Sequence, residues 1–115
     1  MGLDITLSTK KHEIYFRKHN YLMAWVEKTT GNEIENCEDI DLTKDQLESL
    51  LASINEVLAD HGKAPSLLPT QSGFFFGSTE YDEGYFEDLE YAKEHLTGML
   101  ADMADEEIAT FNAWW

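Results

Sequence analysis

The sequence predicts an α+β fold in which about three helices pack on a small antiparallel sheet. That sheet would be formed by the N-terminal strand, with the C-terminal segment as a further candidate strand. Two observations lead to this prediction: apolar and polar residues alternate near the N-terminus, and later stretches repeat apolar residues at helical spacing. The chain has 115 residues, of which 43% are hydrophobic. Because this is enough for one core, we expect residues 1–115 to form a single globular domain.

Both ends of the chain have the character of β-strands. Leu3, Ile5 and Leu7 alternate with polar residues, which is the period-two pattern of a strand with one buried face. The segment from Glu107 to Trp115 is rich in β-branched and aromatic side chains, so we expect it to pair with the first strand. A short helix is the alternative for this segment.

A first helix is predicted from about Tyr15 to Lys28, and the polar residues that follow Lys28 end it. The apolar residues at helical spacing are Tyr15, Phe16, His19, Leu22, Met23 and Val26. Tyr21 and Trp25 lie to one side of this face. We expect them either to cover a neighbouring loop or to form an exposed aromatic patch.

A second helix is predicted to begin at Thr43, because Gln46 follows three residues later and completes a capping box. His61 and Gly62 close this helix. Its apolar face consists of Leu47, Leu50, Leu51, Ile54, Val57 and Leu58.

A third helix is predicted after a structured connection from Lys63 to Gly77 that contains both prolines. Ser78 or Thr79 is expected to cap it, and its amphipathic pattern extends to about Asp102. Gly98 weakens such a helix by about 1 kcal/mol relative to alanine and marks a point where it would end early. The acidic residues opposite its apolar face are Glu83, Glu87, Glu90 and Glu94.

The charge of the chain restricts the classes of partner. It has 8 basic and 23 acidic residues, a net charge of −15. Nucleic acids and anionic lipid surfaces bind proteins through basic side chains, so neither is an expected partner. Residues 1–32 hold five of the basic groups and three of the acidic ones, whereas residues 33–115 hold three and twenty. The basic minority is therefore concentrated near the first predicted helix.

Cysteine content and the N-terminus favour a cytoplasmic protein. Cys37 is the only cysteine, so no intrachain disulfide can form, and a reducing compartment is expected. The opening residues, MGLDITLS, lack the basic and apolar regions of an export signal. No apolar run approaches the roughly 20 residues that a membrane-spanning helix requires.

The segment from Gly73 to Thr79 combines glycines and hydroxyls ahead of a predicted helix, as phosphate-binding loops do. It lacks the Walker lysine, however, and the carboxylates of Glu80, Asp82 and Glu83 would repel a phosphate. We interpret the segment as a structural loop whose glycines permit a tight turn and whose Phe74–Phe76 anchor it in the core.

Residue patterns give no candidate for catalysis, for a metal site or for a cofactor. The four histidines do not form an HExxH motif, and the acidic residues near Glu80 lack the spacing of an EF-hand loop. Cys37 stands next to acidic residues, which disfavour the thiolate. We therefore expect no cofactor and lean against an enzyme, and we interpret His19 as a hydrogen-bonded core residue.

The string LPTQSGFFFGSTEYDE, from Leu68 to Glu83, resembles a family of small acidic proteins encoded by bacteriophages and prophages. The opening Met1–Asp4 and the residues Arg17, Lys18, Asn20 and Trp25 agree with this resemblance. It implies a phage or prophage origin and a role inside a bacterial cell. It supplies no catalytic residues.

One polar set is the candidate interaction or ligand site. Arg17, Lys18 and Asn20 fall in the first predicted helix, and residues of opposite charge and of hydrogen-bonding character flank the Phe-rich loop. The full candidate set is Arg17, Lys18, Asn20, Trp25, Gln71, Ser72, Glu80 and Asp82. We favour a structural network that locks the loop onto the helix over a set that contacts a ligand.

Three hypotheses for function follow. The leading one is a non-enzymatic phage accessory protein that binds a bacterial host protein, with Tyr21, Trp25, Trp114 and Trp115 as anchors inside an acidic rim. The first alternative is a DNA mimic that inhibits a DNA-binding or defence protein. The second is a small ligand-binding protein or enzyme with a site between the first helix and the Phe-rich loop. Self-association into a homodimer stays open at this point.

Overall fold

A computed structural model describes residues 2–73 and 76–115 of the chain, and within them the α+β class is confirmed. The strands are β1 (Asp4–Ser8), β2 (Glu13–Arg17), β3 (Asp39–Thr43) and β4 (Ile108–Trp114). The helices are α1 (Asn20–Thr30), α2 (Lys44–Ala59), α3 (Ala64–Leu67) and α4 (Glu83–Asp102), with a short 3-10 turn at His61–Lys63.

All four strands form one antiparallel sheet in the order β2-β1-β4-β3. The C-terminal segment is a strand, as predicted, and the alternative of a short helix is wrong. It pairs with β1, as expected, and also with β3 on its other side. The sheet is larger than the sequence indicated because β2 and β3 were not predicted.

The sheet is buried on one face only. Ile5 lies between its cross-strand partners Phe16 and Ala113, and Leu7 lies between Ile14 and Phe111. All six of these residues are buried, whereas the residues between them along each strand point to the opposite face. The helices therefore cover one face of the sheet and leave the other to solvent.

Strand β2 replaces the first part of the predicted first helix. Ile14 and Phe16 are buried while Glu13, Tyr15 and Arg17 are exposed, which is strand alternation, and pairing with β1 favours the extended conformation. Lys18, with a positive φ of 59°, follows the strand, and α1 begins only at Asn20. The predicted start of this helix at Tyr15 is therefore wrong.

The second predicted helix is confirmed as α2. The Thr43 hydroxyl accepts from the Gln46 amide at 3.1 Å, and the Thr43 amide donates to the Gln46 side chain at 2.9 Å. This is the capping box read from the sequence. The helix ends at Ala59, and Asp60 caps it with its backbone N–H.

The third predicted helix is α4, and its start was misplaced. Asp82 caps it by accepting from the Tyr85 amide at 3.0 Å. Ser78 is not the cap, because its hydroxyl instead accepts from the Glu80 amide at 3.0 Å within the loop. The helix continues through Gly98 to Asp102, so the early end considered for it does not occur.

Tyr21 and Trp25 belong to the hydrophobic core. Their exposed fractions are 1% and 9%, so the exposed aromatic patch considered for α1 is wrong. Since buried rings cannot contact a partner, neither residue is available as an interface anchor.

Among the described residues, no helix combines the length and the apolar character needed to span a membrane.

Candidate functional site

Residues 70–73 and 76–81 are the described parts of a loop whose two ends meet. The Thr70 hydroxyl donates to the Thr79 carbonyl at 2.9 Å, and the Thr70 amide donates to the Tyr81 hydroxyl at 3.2 Å. Just outside the loop, the Tyr85 hydroxyl donates to the Leu68 carbonyl at 2.7 Å. A compact loop of this length with adjoining ends is an Ω-loop, a class that often carries function.

Asn20 fastens this Ω-loop to the start of α1. Its side-chain nitrogen donates to the carbonyls of Phe76 at 3.1 Å and Ser78 at 2.9 Å, and its side-chain oxygen accepts from the Gln71 amide at 3.2 Å. Asn20 is 3% exposed. These contacts agree with the structural network that we favoured from the sequence.

A close backbone approach accompanies the Asn20 contacts. Lys18 and Gly77 both have positive φ, at 59° and 90°, and a Cβ on Gly77 would lie 3.3 Å from Cβ and Cδ of Lys18. Phe76 is buried against Trp115, with ring centroids 5.5 Å apart. It therefore anchors the loop as expected, whereas the predicted anchors Phe74 and Phe75 lie outside the described residues.

A cavity of about 230 Å³ separates α1, the Ω-loop and the start of α4. Four residues of the candidate set line it: Lys18, Asn20, Glu80 and Asp82. The remaining lining residues are Tyr21, Gly77, Ser78, Gly84, Tyr85 and Asp88. The fold thus brings half of the candidate set to one place.

The other four candidate residues lie elsewhere. Gln71 meets Asn20 only through its backbone amide, and Ser72 is exposed on the loop. Arg17 lines a neighbouring groove, and Trp25 lines a separate hollow beside Pro69. The expectation that Arg17, Lys18 and Asn20 share one helix is wrong, because Arg17 ends β2 and Lys18 lies between β2 and α1.

A polar chain connects the core of α1 with the wall of the cavity. Nδ1 of His19 lies 3.1 Å from the Tyr21 hydroxyl, and Nε2 lies 3.4 Å from Oδ1 of Asp88. A neutral imidazole with its proton on Nε2 accepts from Tyr21 and directs its N–H toward the carboxylate. His19 is thus the hydrogen-bonded core residue that we predicted.

Burial shifts the pKa values of His19 and Asp88 in opposite directions. It lowers the pKa of His19 to about 4, because desolvation disfavours the imidazolium. Burial, with added repulsion from Glu87 and Asp82, raises the pKa of Asp88 to about 6. At neutral pH a neutral imidazole therefore faces an ionised carboxylate. Asp88 was missed from the sequence, and the only signal for it was its place beside the apolar stripe of α4.

The uncovered face of the sheet carries large apolar side chains. Tyr15, Ile108 and Trp114 are 44%, 46% and 36% exposed. The pairing register puts Thr6 beside Tyr15 and beside Asn112, so the centre of this outer face is lined by small polar residues. Three large side chains therefore lie around a centre of small polar residues.

Acidic residues border the same outer face. Asp39 and Asp41 are exposed on β3, and Glu13 is exposed on β2. The Asn112 side chain donates to the Asp39 carboxylate at 2.7 Å, and the Tyr15 hydroxyl donates to the carboxylate of Asp4. The border of the outer face is therefore mainly acidic, and the exposed Arg17 of β2 is a basic residue within it.

The helical side of the molecule is also acidic. Helices α2 and α4 pack against each other. Their exposed carboxylates are those of Asp45, Glu48, Glu56, Glu83, Glu87, Glu90, Glu94 and Asp102, and that of Asp60 lies directly after α2. Lys63 pairs with Glu56 at 3.4 Å. The helical side therefore contributes a large part of the net charge of −15.

Within residues 2–73 and 76–115, no group of three His, Cys, Asp or Glu side chains is arranged to hold a metal ion. In the described part of the chain, the cavity collects half of the candidate residues and the outer face of the sheet collects three large exposed side chains. Comparisons of the chain with family models, with curated proteins and with solved structures found no match.

Proposed function

We propose that this protein is a non-enzymatic binding module, of phage or prophage origin, that binds a basic protein of the bacterial host through the outer face of its sheet. The observation that supports this most is the position of the large exposed side chains. Of the five that are exposed among the described residues, Tyr15, Ile108 and Trp114 share this one face.

Aromatic anchors within a polar border are the usual anatomy of a protein interface. Tyrosine and tryptophan are also the side chains most often found as binding hot spots. Trp114 is the one member of the predicted anchor set that lies on this face, and Tyr15 replaces the buried Tyr21 and Trp25. We therefore retain the hypothesis of aromatic anchors inside an acidic rim, with Tyr15 and Trp114 as the anchors.

Charge selects the kind of partner. A surface with a net charge of −15 attracts basic proteins at long range and repels acidic ones. The resemblance to phage proteins supplies the setting, which is the cytoplasm of an infected or lysogenic bacterium. We therefore propose a basic host protein as the partner.

Photo-cross-linking tests this proposal. A benzophenone amino acid is placed at position 114 or at position 15, and a control is placed at position 81, because Tyr81 is also exposed but lies in the Ω-loop. Irradiation in bacterial cells should join the same basic protein to positions 114 and 15. Recovery of partners from position 81 alone would count against the sheet face.

The affinity of the purified partner for variants of this protein is the second test of the proposed interface. Trp114→Ala should weaken binding at least tenfold, since an interface anchor contributes about 1.4 kcal/mol or more. Tyr81→Ala is the matched control and should leave the affinity unchanged. Equal affinities for the two variants would contradict the proposal.

The cavity supports a second candidate, the binding of a small polar molecule. Its volume of about 230 Å³ and its lining by Lys18, Asn20 and Asp82 favour this function over an enzyme, because no nucleophile with an adjoining base faces it among the described lining residues. A thermal-shift panel of amino acids, polyamines and nucleosides tests it. A rise in Tm that Ser78→Phe abolishes would support this candidate, whereas a rise in neither protein would exclude these classes.

A further inference from the structure

We infer that the partner segment that docks on the outer face is a basic amphipathic helix lying along β1 and β4. This inference rests on the proposed function and specifies the partner's contact surface. It follows from three properties of the face: its cross-section, the distance between its apolar ends and the charge of its two sides.

The cross-section matches one helix. Between the two ends of β4, the outward residues of the central strands are small or polar, including Thr6 and Ser8 on β1 and Thr110 on β4. Tyr15 stands beside them on β2, whereas the outward side chains of β3 are shorter. Four strands span about 14 Å from the first to the last, and a helix with its side chains is about 10–12 Å wide. A single helix therefore fits the shallow trough over β1 and β4.

The apolar ends of the trough set the length of that helix. Ile108 and Trp114 lie at opposite ends of β4, six residues apart, which corresponds to about 20 Å of strand. A helix rises 1.5 Å per residue, so about 13 residues cover this distance. The docking helix should thus carry apolar side chains at both ends of a segment of about four turns.

The two sides of the trough determine the charge of the helix. Asp39 and Asp41 border it on β3, whereas β2 contributes the carboxylate of Glu13 and, at its other end, the guanidinium of Arg17. Three carboxylates thus outnumber one cation along the two sides. Cationic side chains on both flanks of a helix would meet these carboxylates, whereas an acidic helix would be repelled. A second copy of this chain is a poor occupant for the same reason, because each copy has a net charge of −15.

Synthetic peptides provide the test. The probe is a leucine–lysine peptide of about 18 residues, or five turns, with all leucines on one helical face. The first control has the same composition, with the leucines distributed around the helix. The second control replaces each lysine by glutamate. Binding is followed by amide chemical-shift mapping on the full chain and by fluorescence anisotropy at physiological ionic strength.

We expect the probe to shift the amides of β1 and β4 and the two controls to leave them unchanged. Replacing both Tyr15 and Trp114 by alanine should weaken probe binding about tenfold or more, whereas Tyr81→Ala should not. Equal binding of the first control, or shifts confined to α2 and α4, would overturn the inference. If cross-linking from position 114 still identifies a host protein, only the helical partner is wrong and the proposed function stands.

Discussion

The side-chain nitrogen of Asn20 lies 2.9 Å from the carbonyl oxygen of Ser78, 58 residues further along the chain. The same side chain also binds Phe76 and Gln71, so one residue holds both halves of the Ω-loop. Asn20→Ala should lower the free energy of unfolding by about 2–3 kcal/mol, because three hydrogen bonds are lost and buried backbone groups lose their partner. Chemical denaturation measures this change.

Hydrogen exchange separates a local effect of Asn20→Ala from a global one. The Gln71 amide, which donates to Asn20, should exchange faster in the variant. Asn32→Ala is the control, because Asn32 is exposed and bonds only to nearby Thr30 among the described residues. A loss of stability no greater than that of Asn32→Ala would show that Asn20 does not fasten the loop.

Gly77→Ala should destabilise the protein by about 1–2 kcal/mol, the usual cost of a positive φ for a residue with a Cβ. The new methyl group would also approach Cβ and Cδ of Lys18 at 3.3 Å. Thermal unfolding measures the effect. Gly98→Ala is the matched control, because open space surrounds Gly98 in α4 and alanine favours a helix; it should raise stability, and an equal loss in both variants would contradict the argument.

The opposed pKa shifts of Asp88 and His19 predict an unusual pH dependence. The pKa of Asp88 is raised to about 6, so folding gains stability as pH falls through about 6. The pKa of His19 is lowered to about 4, so folding loses stability as pH falls below the ordinary histidine value toward 4. The two contributions offset each other in the wild-type protein between pH 6 and 4.

Asp88→Asn removes the contribution of Asp88 to this pH dependence and leaves that of His19. The variant should be more stable than the wild type at pH 7, because no ionised carboxylate is then held in this half-buried position beside Glu87 and Asp82. That advantage should decrease by roughly 4 °C in Tm as pH falls from 7 to 5. Thermal melts across this range measure it, and Glu90→Gln, at an exposed position of α4, is the control. A constant difference between Asp88→Asn and the wild type would show that Asp88 does not titrate as described.

Thr43→Ala should lower stability by about 1 kcal/mol by removing the cap of α2. The loss should fall mainly on this helix, because the Thr43 hydroxyl accepts from the Gln46 amide. Thr43→Ser keeps the hydroxyl and should retain most of the stability. Urea denaturation compares the three proteins, and equal stability of the alanine and serine variants would rule out the capping role.

Local signals such as the helix cap were read correctly from the sequence, whereas of the long-range strand pairings only that of β1 with β4 was predicted. The capping box of Thr43 and Gln46 depends on residues three positions apart, so the sequence contains all the information needed for it. Residues 15–17 satisfied a helical spacing equally well, yet they form part of β2 because β1 is available as a partner. Their extended conformation is decided by contacts that a local pattern does not include.

The candidate site was predicted in part for the same reason. Asn20, Glu80 and Asp82 were selected by charge and hydrogen-bonding capacity, and they meet at the cavity. For Trp25 the sequence left open whether it covers a neighbouring loop or is exposed, because the residues outside α1 that share its hollow come from α2 and from Leu67 and Pro69, which its own helix does not reveal. The outer face of the sheet was predicted only at its centre, where β1 pairs with β4, because β2 and β3 were not recognised as strands.

The place of β4 between β1 and β3 has a consequence for biosynthesis. A ribosome delivers residues 4–17 early, and these can form their hairpin at once, but β3 has no neighbour in the sheet until Ile108–Trp114 has been translated. Until then the nascent chain displays the apolar sides of its strands to chaperones and proteases. The sheet is completed after translation of its last strand, so a message truncated before codon 108 would yield a chain without a finished fold.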